Sequence, residues 1–219
     1  MVAIARFAGT NCEFDMQYVY EKILGVPCKI VWHKQTHLPS GTRLVVLAGG
    51  FSYGDYLRSG AIARFAPIMS AIKDFAKNGG RVLGICNGFQ ILTEANLLPG
   101  ALKRNKDLHF ISKNQNLIIT NTHNAFLRDY KKGEVITLPI AHADGSYYCT
   151  TQELEKLEKN EQILLKYESD INGSVGQIAG ICNEDKNVFG LMPHPERACE
   201  KLLGLQSGLA MLKSILDFH

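Results

Sequence analysis

The chain lacks paired-cysteine spacing. Its six cysteines (Cys12, Cys28, Cys86, Cys149, Cys182 and Cys199) are scattered, with no C-x-x-C among them. That pattern gives no sign of a disulfide framework, and reduced thiols in a cytoplasmic setting are the expectation. Long apolar runs are also missing. The opening run over residues 2–7 meets Gly9-Thr10-Asn11 almost at once and has no basic lead, unlike a signal peptide. No stretch approaches the roughly 20 apolar residues of a membrane span. Neither charge dominates: 24 Lys and Arg face 21 Asp and Glu, a net charge of +3. That is too mild to argue for nucleic acid or an anionic membrane as partner. His33 and His37 are four residues apart, but Lys34-Gln35-Thr36 and Pro39 read as a loop, so no metal ligands are assigned.

What is present suits one domain spanning residues 1–219, with 46% hydrophobic residues to build a core. The first half alternates strand and helix patterns. Strands are expected over 2–7, Cys28–Trp32, Leu44–Leu47 and 82–85, and helices over 14–24 and 61–77. Gly25 and Pro27 stop the first helix, and Asn78-Gly79-Gly80 stops the second. The pattern then changes to closely spaced β-like runs over 117–121, 135–140, 163–167, 177–182 and 188–192. A helix over Thr151–Lys159 is capped by Thr150 or Thr151, and a closing helix covers 201–218. A mixed α/β sheet follows, parallel in its first half and partly antiparallel in its second, with helices on both faces.

Ligand sites in open α/β sheets lie beyond the carboxyl ends of the strands. Three features fall there: Gly49-Gly50-Phe51, Cys86, and Met192-Pro193-His194-Pro195-Glu196. Cys86 stands in Gly84-Ile85-Cys86-Asn87-Gly88, the cysteine form of a nucleophile elbow. The elbow puts the thiol at a helix N-terminus, where the dipole favours thiolate, and leaves the Asn87 amide free to face an oxyanion. A cysteine nucleophile needs a base, and the base needs an orienting group. His194 and Glu196, two apart in an extended Pro-His-Pro segment, supply both. Gly50 is the expected second oxyanion donor, since glycines allow close backbone approach. The alternatives at this point are a buried structural cysteine, a surface His-Pro turn and a plain glycine loop.

These residues resemble the class I (triad) glutamine amidotransferases, through Gly84-Ile85-Cys86-Asn87-Gly88-Phe89-Gln90 and Pro193-His194-Pro195-Glu196. Within that superfamily, the stretch from Gly49 to Arg58, Gly60-Ala61-Ile62-Ala63, Gly9-Thr10-Asn11-Cys12 and Met192 to Arg197 resemble the glutaminase subunits of phosphoribosylformylglycinamidine synthase. The resemblance runs from the first strand to the closing helix. It implies a three-layer, flavodoxin-like fold with a mixed, mostly parallel sheet. It implies hydrolysis of glutamine to glutamate and ammonia through a thioester on Cys86, with His194 as base and acid and Glu196 as its orienting carboxylate. The Gly50 and Asn87 amides would form the oxyanion hole, and Gln90, Gly49 and Phe51 would contact the substrate. It further implies two partners, a large synthetase subunit and a small bridging subunit. ATP and Mg²⁺ would belong to the synthetase and no cofactor to this chain, which has no P-loop. The chain departs from the family at Ala8 and Ala48, where proline is usual, and at His142-Ala143-Asp144-Gly145, where a glutamate is usual.

The remaining features have ordinary readings. Asn172-Gly173-Ser174 reads as a turn and Trp32 as a core residue. Residues 153–159 read as a solvated helix face, and His142 as a lining of the site's mouth or of a subunit interface. Competing functions are another triad amidotransferase, a γ-glutamyl hydrolase, and a catalytically silent regulatory subunit on the same fold.

Overall fold

Five parallel strands form one half of a nine-stranded sheet in the computed structural model, which describes residues 1–217. They are β1 (Val2–Arg6), β2 (Cys28–Trp32), β3 (Leu44–Leu47), β4 (Arg81–Ile85) and β11 (Val188–Leu191), in the order β2-β1-β3-β4-β11. The sheet continues antiparallel through β10 (Ile178–Cys182), β9 (Ile163–Tyr167), β6 (Ile111–Ile119) and β7 (Val135–His142). The central parallel strands β1, β3 and β4 are continuous apolar runs buried nearly throughout, as strands covered on both faces must be. Strand order reverses between β1 and β3. Right-handed crossovers therefore place α1 (Glu13–Tyr18) on one face and α2 (Ile68–Lys77) on the other. The reversal also opens a crevice at the carboxyl ends of β1 and β3. There Thr10 and Gly50 pair as an isolated antiparallel bridge, flanked by Phe51 N–H to Gly9 O (2.9 Å) and Asn11 N–H to Gly49 O (3.2 Å).

Several sequence expectations are corrected. The helix over 14–24 is α1 followed by a π-helical turn, Val19–Ile23. The helix over 61–77 is broken: a 3₁₀ turn, Ala63–Phe65, precedes α2, because Pro67 forces Ala66 into an extended conformation (ψ 142°). The closing helix over 201–218 is a 3₁₀ turn, Lys201–Leu203, then Gly204 at φ +92°, then a short α5 (Leu209–Ser214); Phe218 lies outside the described residues. Strand β6 is nine residues long, extending back through polar Lys113, Asn114 and Asn116, whose exposed side chains hide it from a hydrophobicity pattern. A two-stranded sheet, β5 (Ala101–Lys103) with β8 (Ser146–Tyr148), has no counterpart in the sequence expectations. Trp32 is not core: it is 41% exposed on edge strand β2, packed on the His33 ring and under the Arg6 guanidinium.

Other elements match expectation closely. Helix α4 (Thr151–Lys159) is capped by Thr150, whose hydroxyl accepts from Glu153 N–H while the Glu153 carboxylate accepts from Thr150 N–H, a complete capping box. Asn172 is fully buried and shapes its turn, donating to Gly145 O and accepting from Ser174 N–H, with Gly173 at φ +81°. His33 is half of a hydrogen bond to the Tyr53 hydroxyl at 2.7 Å.

Candidate active site

Cys86 is where β4 turns sharply into α3 (Asn87–Glu94), with φ +52° and ψ −108°. A non-glycine residue pays an energetic penalty of roughly 1–3 kcal/mol for such a backbone, and it persists only where neighbours enforce it. They do so here. Cys86 N–H bonds to Leu191 O (2.8 Å) on β11, and Gln90 N–H bonds to Cys86 O (3.2 Å). Gly84 and Gly88 make the turn possible: a Cβ on Gly84 would stand 2.7 Å from the Gly88 carbonyl, and one on Gly88 would overlap the Leu47 carbonyl of β3. The thiol is 6% exposed and lies 3.7 Å from Ala141 O of β7.

His194 and Glu196 arrive from the loop after β11. His194 N–H is anchored on Pro139 O (2.8 Å) of β7. Its Nδ1–H donates to Glu196 Oε1 at 2.6 Å, with both side chains buried. With Nδ1–H held by the carboxylate, Nε2 is the nitrogen left to gain and lose a proton, and it is buried without a hydrogen-bond partner, as is Glu196 Oε2. Burial alone would lower the His194 pKa. The Glu196 carboxylate and the neighbouring Cys86 sulfur outweigh it and hold the imidazolium well above its ordinary range. Gly49 explains how the groups come together: a Cβ there would lie 2.9 Å from His194 Cε1, 3.2 Å from Cys12 Sγ and 3.4 Å from Cys86 Cβ. Thiol, imidazole and carboxylate thus form a series in which the ring can take a thiol proton and the carboxylate can steady the resulting cation.

Two backbone segments meet at Cys86: Asn87 follows it in the chain, and Gly50 lines both cavities that Cys86 borders. Asn87 is the first residue of α3, so its N–H has no partner within the helix. Gly50 holds φ +148°, and the hydrogen bonds of the Thr10–Gly50 bridge flank it without using its own N–H. The Asn87 side chain braces the loop, accepting from Ser52 N–H (3.0 Å) and donating to Gln90 Oε1 (2.8 Å) and Asp55 (3.3 Å). Gln90, 5% exposed, donates to Asp144 O at 2.7 Å. The Gly49 carbonyl is held by the Asn11 and Cys12 amides, so Gly49 acts through its missing side chain rather than through that oxygen. Phe51 is about half exposed at the rim.

Cys86 borders two cavities, as do Gly50, Phe51 and Ala141. One of about 210 Å³ is bounded by Asn11, Cys12, Gly50, His194 and Arg197. The other, about 40 Å³, is lined by Asp55, Ser59, Gln90, His142 and Asp144 together with Gly50 and Cys86. Burial, reinforced by Asp144, raises the Asp55 pKa to about 6, while hydrogen bonds from Ser59 and Asn87 oppose the rise. Ser59 Oγ donates to Asp144 Oδ2 at 2.7 Å. His142 Nδ1 is taken by Asn105 Oδ1 (3.1 Å), its Nε2 is buried and unpaired, and burial with the nearby His194 pushes its pKa down to about 4. The small cavity therefore presents acceptors: two carboxylates and a neutral imidazole. Sequence reasoning missed Asp55 and Ser59 as lining groups, along with Cys12 and Arg197 beside the triad; the only signal for Asp55, Cys12 and Arg197 was membership of the Gly49–Arg58, Gly9–Cys12 and Met192–Arg197 stretches, and Ser59 lay just outside them. A larger cavity of about 600 Å³ between residues 96–101, Tyr148 and α4 contains none of these groups.

Comparisons with known proteins place the chain in one family. A family model described as a CobB/CobQ-like glutamine amidotransferase domain matches residues 1–205. The chain is 64% identical to the phosphoribosylformylglycinamidine synthase subunit PurQ of Helicobacter hepaticus over 215 residues, covering 98% of this chain and 96% of that one. It is 59% identical to the same subunit of Wolinella succinogenes, covering 98% of each. Among solved structures, a chain of PurLQS from Thermotoga maritima is similar with a TM-score of 0.89 and 42% identity, over 98% of this chain and 96% of that one.

Proposed function

The chain belongs to the PurQ family of phosphoribosylformylglycinamidine synthase subunits, within the glutamine amidotransferases, and on that premise we propose how its residues divide the chemistry. It is the glutaminase subunit of that synthase. It hydrolyses glutamine to glutamate and ammonia in purine biosynthesis, as part of a complex with the synthetase subunit PurL and with PurS. We assign ATP and Mg²⁺ to the synthetase subunit, no cofactor to this chain, one domain to residues 1–219 and a cytoplasmic location. The continuous nine-stranded sheet supports the single domain, and six free cysteines support the compartment.

In this reading Cys86 Sγ attacks the side-chain carbonyl of glutamine as His194 Nε2 takes the thiol proton. Oxygen becomes negative in the tetrahedral intermediate, and the Gly50 and Asn87 amides hydrogen-bond to it. The C–N bond then breaks, and His194 returns its proton to the departing nitrogen, leaving ammonia and a γ-glutamyl thioester. A water loses a proton to His194 and attacks the thioester; the C–S bond breaks, the sulfur is reprotonated and glutamate leaves. Glu196 holds the ring through Nδ1–H and steadies the imidazolium at each step. The small acceptor-lined cavity suits the α-ammonium of glutamine, with Asp55 and Asp144 facing its charge. Gln90, Gly49 and Phe51 shape the seat.

The observation that carries this reading is the His194–Glu196 hydrogen bond of 2.6 Å, buried against a cysteine held at positive φ. The test is ammonia release from glutamine by the chain with its synthetase and small subunits. Cys86→Ala is expected to abolish release while added ammonium still supports the synthase. Ammonia release by Cys86→Ala at the wild-type rate would refute the assignment.

A further inference from the structure

Cys12 has no part in the hydrolysis just described, yet its sulfur lies against the catalytic base. Sγ of Cys12, a ring nitrogen of His194 and a carboxylate oxygen of Glu196 all lie within 4.8 Å of one another. Among the described residues no other three Cys, His, Asp or Glu side chains converge so closely. All three are buried, at 2%, 2% and 5% exposure. Two of them also carry buried atoms with no partner, His194 Nε2 and Glu196 Oε2. Such orphaned polar atoms are unfavourable unless a ligand, a water or a proton satisfies them. Cys12 Sγ is already engaged, donating to Asn11 Oδ1 and accepting from Arg197 Nη2 at 3.1 Å each, so the thiol, imidazole and carboxylate that meet here become a donor set when a cation displaces those partners.

We propose that Cys12, His194 and Glu196 bind a thiophilic divalent cation, zinc foremost, and that its occupancy switches glutamine hydrolysis off. The inhibitory half rests on the catalytic reading given above; the binding half does not. One sulfur, one nitrogen and one oxygen are the mixed donors zinc accepts in tetrahedral geometry, at about 2.0–2.3 Å each. Donors on one zinc ion stand roughly 3.3–3.8 Å apart, and the three groups, all within 4.8 Å of one another, can reach that spacing by side-chain adjustment. Magnesium and calcium are disfavoured, since they require six or more oxygen donors and the cluster holds one carboxylate and a soft sulfur. The adjoining cavity of about 210 Å³ reaches Cys12, Cys86 and His194, and gives both an approach and a fourth ligand, a water or the Cys86 sulfur.

Binding is a proton exchange without redox change. The cation forms a bond to Cys12 Sγ as the thiol releases its proton to solvent. A ring nitrogen of His194 donated to the metal can no longer carry the proton that thioester formation needs, and Glu196 is drawn off the ring. Arg197 opposes the cation, since its Nη2 lies 3.1 Å from Cys12 Sγ and its charge must be accommodated. That opposition makes Arg197 a lever on affinity. The site is invisible in sequence, because Cys12 and His194 come from opposite ends of the chain and meet only where the β1 and β11 loops share the crevice.

Cobalt(II) is the probe for binding, read on the full chain with Cys86→Ala in place so that the nucleophile contributes no sulfur. A sulfur-to-cobalt charge-transfer band displaced by zinc is expected, and it should vanish in Cys12→Ala/Cys86→Ala with far-ultraviolet circular dichroism unchanged. Inhibition is read on the assembled complex. Zinc should stop glutamine hydrolysis reversibly, with recovery on adding EDTA. Cys12→Ala, read relative to its own metal-free rate, should need roughly 100-fold or more zinc for the same fractional inhibition, at least what loss of an outer-sphere partner costs a metal site. Arg197→Gln should shift the zinc response to lower concentration. A cobalt band that survives loss of Cys12, or equal zinc sensitivity in wild type and Cys12→Ala, would overturn the proposal. A cobalt band that depends on Cys12, in a chain whose Cys86→Ala variant still releases ammonia, would keep the binding site and overturn the catalytic reading instead.

Discussion

Gly49→Ala isolates the spacing between nucleophile and base. Gly49 does not hold a positive φ, so alanine fits its backbone without conformational strain. The new methyl would sit 2.9 Å from His194 Cε1, where ordinary contact begins at 3.4 Å, so the imidazole must retreat by about 0.5 Å. Cys86 Cβ, at 3.4 Å, need not move. The ring therefore shifts relative to the thiol and toward Glu196 or the cavity. A misplacement of about 1 Å at a reacting centre costs about 100-fold in rate, so half of that is worth about tenfold, or about 1.4 kcal/mol in the barrier. Overpacking adds a stability cost of about 1–3 kcal/mol. The assay is steady-state glutaminase activity in the assembled complex, below the variant's melting transition. A fall in kcat of about tenfold with little change in KM is expected. Wild-type kcat in a folded Gly49→Ala would refute the placement of His194 against Gly49.

Glu196→Gln keeps an acceptor for Nδ1–H but removes the charge, and kcat is expected to fall about 10⁴-fold, as in other triads that lose the carboxylate. The same variant tests linkage. The His194 pKa is raised above its ordinary 6.5 in the folded chain, so its stabilising contribution is full below pH 6.5 and is lost as pH rises through the raised value. The melting-temperature gap between wild type and Glu196→Gln should therefore be widest below pH 6.5 and narrow above it. A gap that widens with pH would contradict the pairing. Asp55→Asn should raise KM for glutamine by about tenfold or more, the worth of a charged hydrogen bond, and should raise it far less for the des-amino analogue glutaramate. Asp55 lines the small cavity with Asp144, accepts from the Asn87 side-chain amide, and is pushed up to about 6 chiefly by burial. KM for glutamine should accordingly rise as pH falls through 6, and a flat KM between pH 5 and 7 would argue against an acidic seat for the ammonium.

Local pattern carried the parallel half of the fold because its strands are short apolar runs bounded by glycine and proline. Cys28–Trp32 and Leu44–Leu47 are legible for that reason. The elbow was legible because Gly84 and Gly88 have steric reasons for being glycine that any β4–α3 turn imposes. Helix continuity was not. Pro67 stood inside an otherwise helical pattern, and Gly204 and Gly208 inside another; periodicity alone outvoted the breakers. Gly208 cannot carry a side chain because the Pro195 backbone packs onto it, a tertiary constraint with no local trace. Polar β6 escaped because its outer face meets solvent. At the site, groups on single motifs were found, whereas Asp55, Asp144 and Cys12 matter through contacts across the crevice that only the folded strand order creates.

The thioester on Cys86 is the most direct test of the catalytic reading. Acid-quenched complex taken during glutamine turnover, digested and analysed by mass spectrometry, should show a γ-glutamyl increment on the peptide containing Cys86. It should be absent from the peptides of Cys12, Cys28, Cys149, Cys182 and Cys199, and absent everywhere in Cys86→Ala. An increment on another cysteine, or steady ammonia release from Cys86→Ala with no adduct at all, would contradict it.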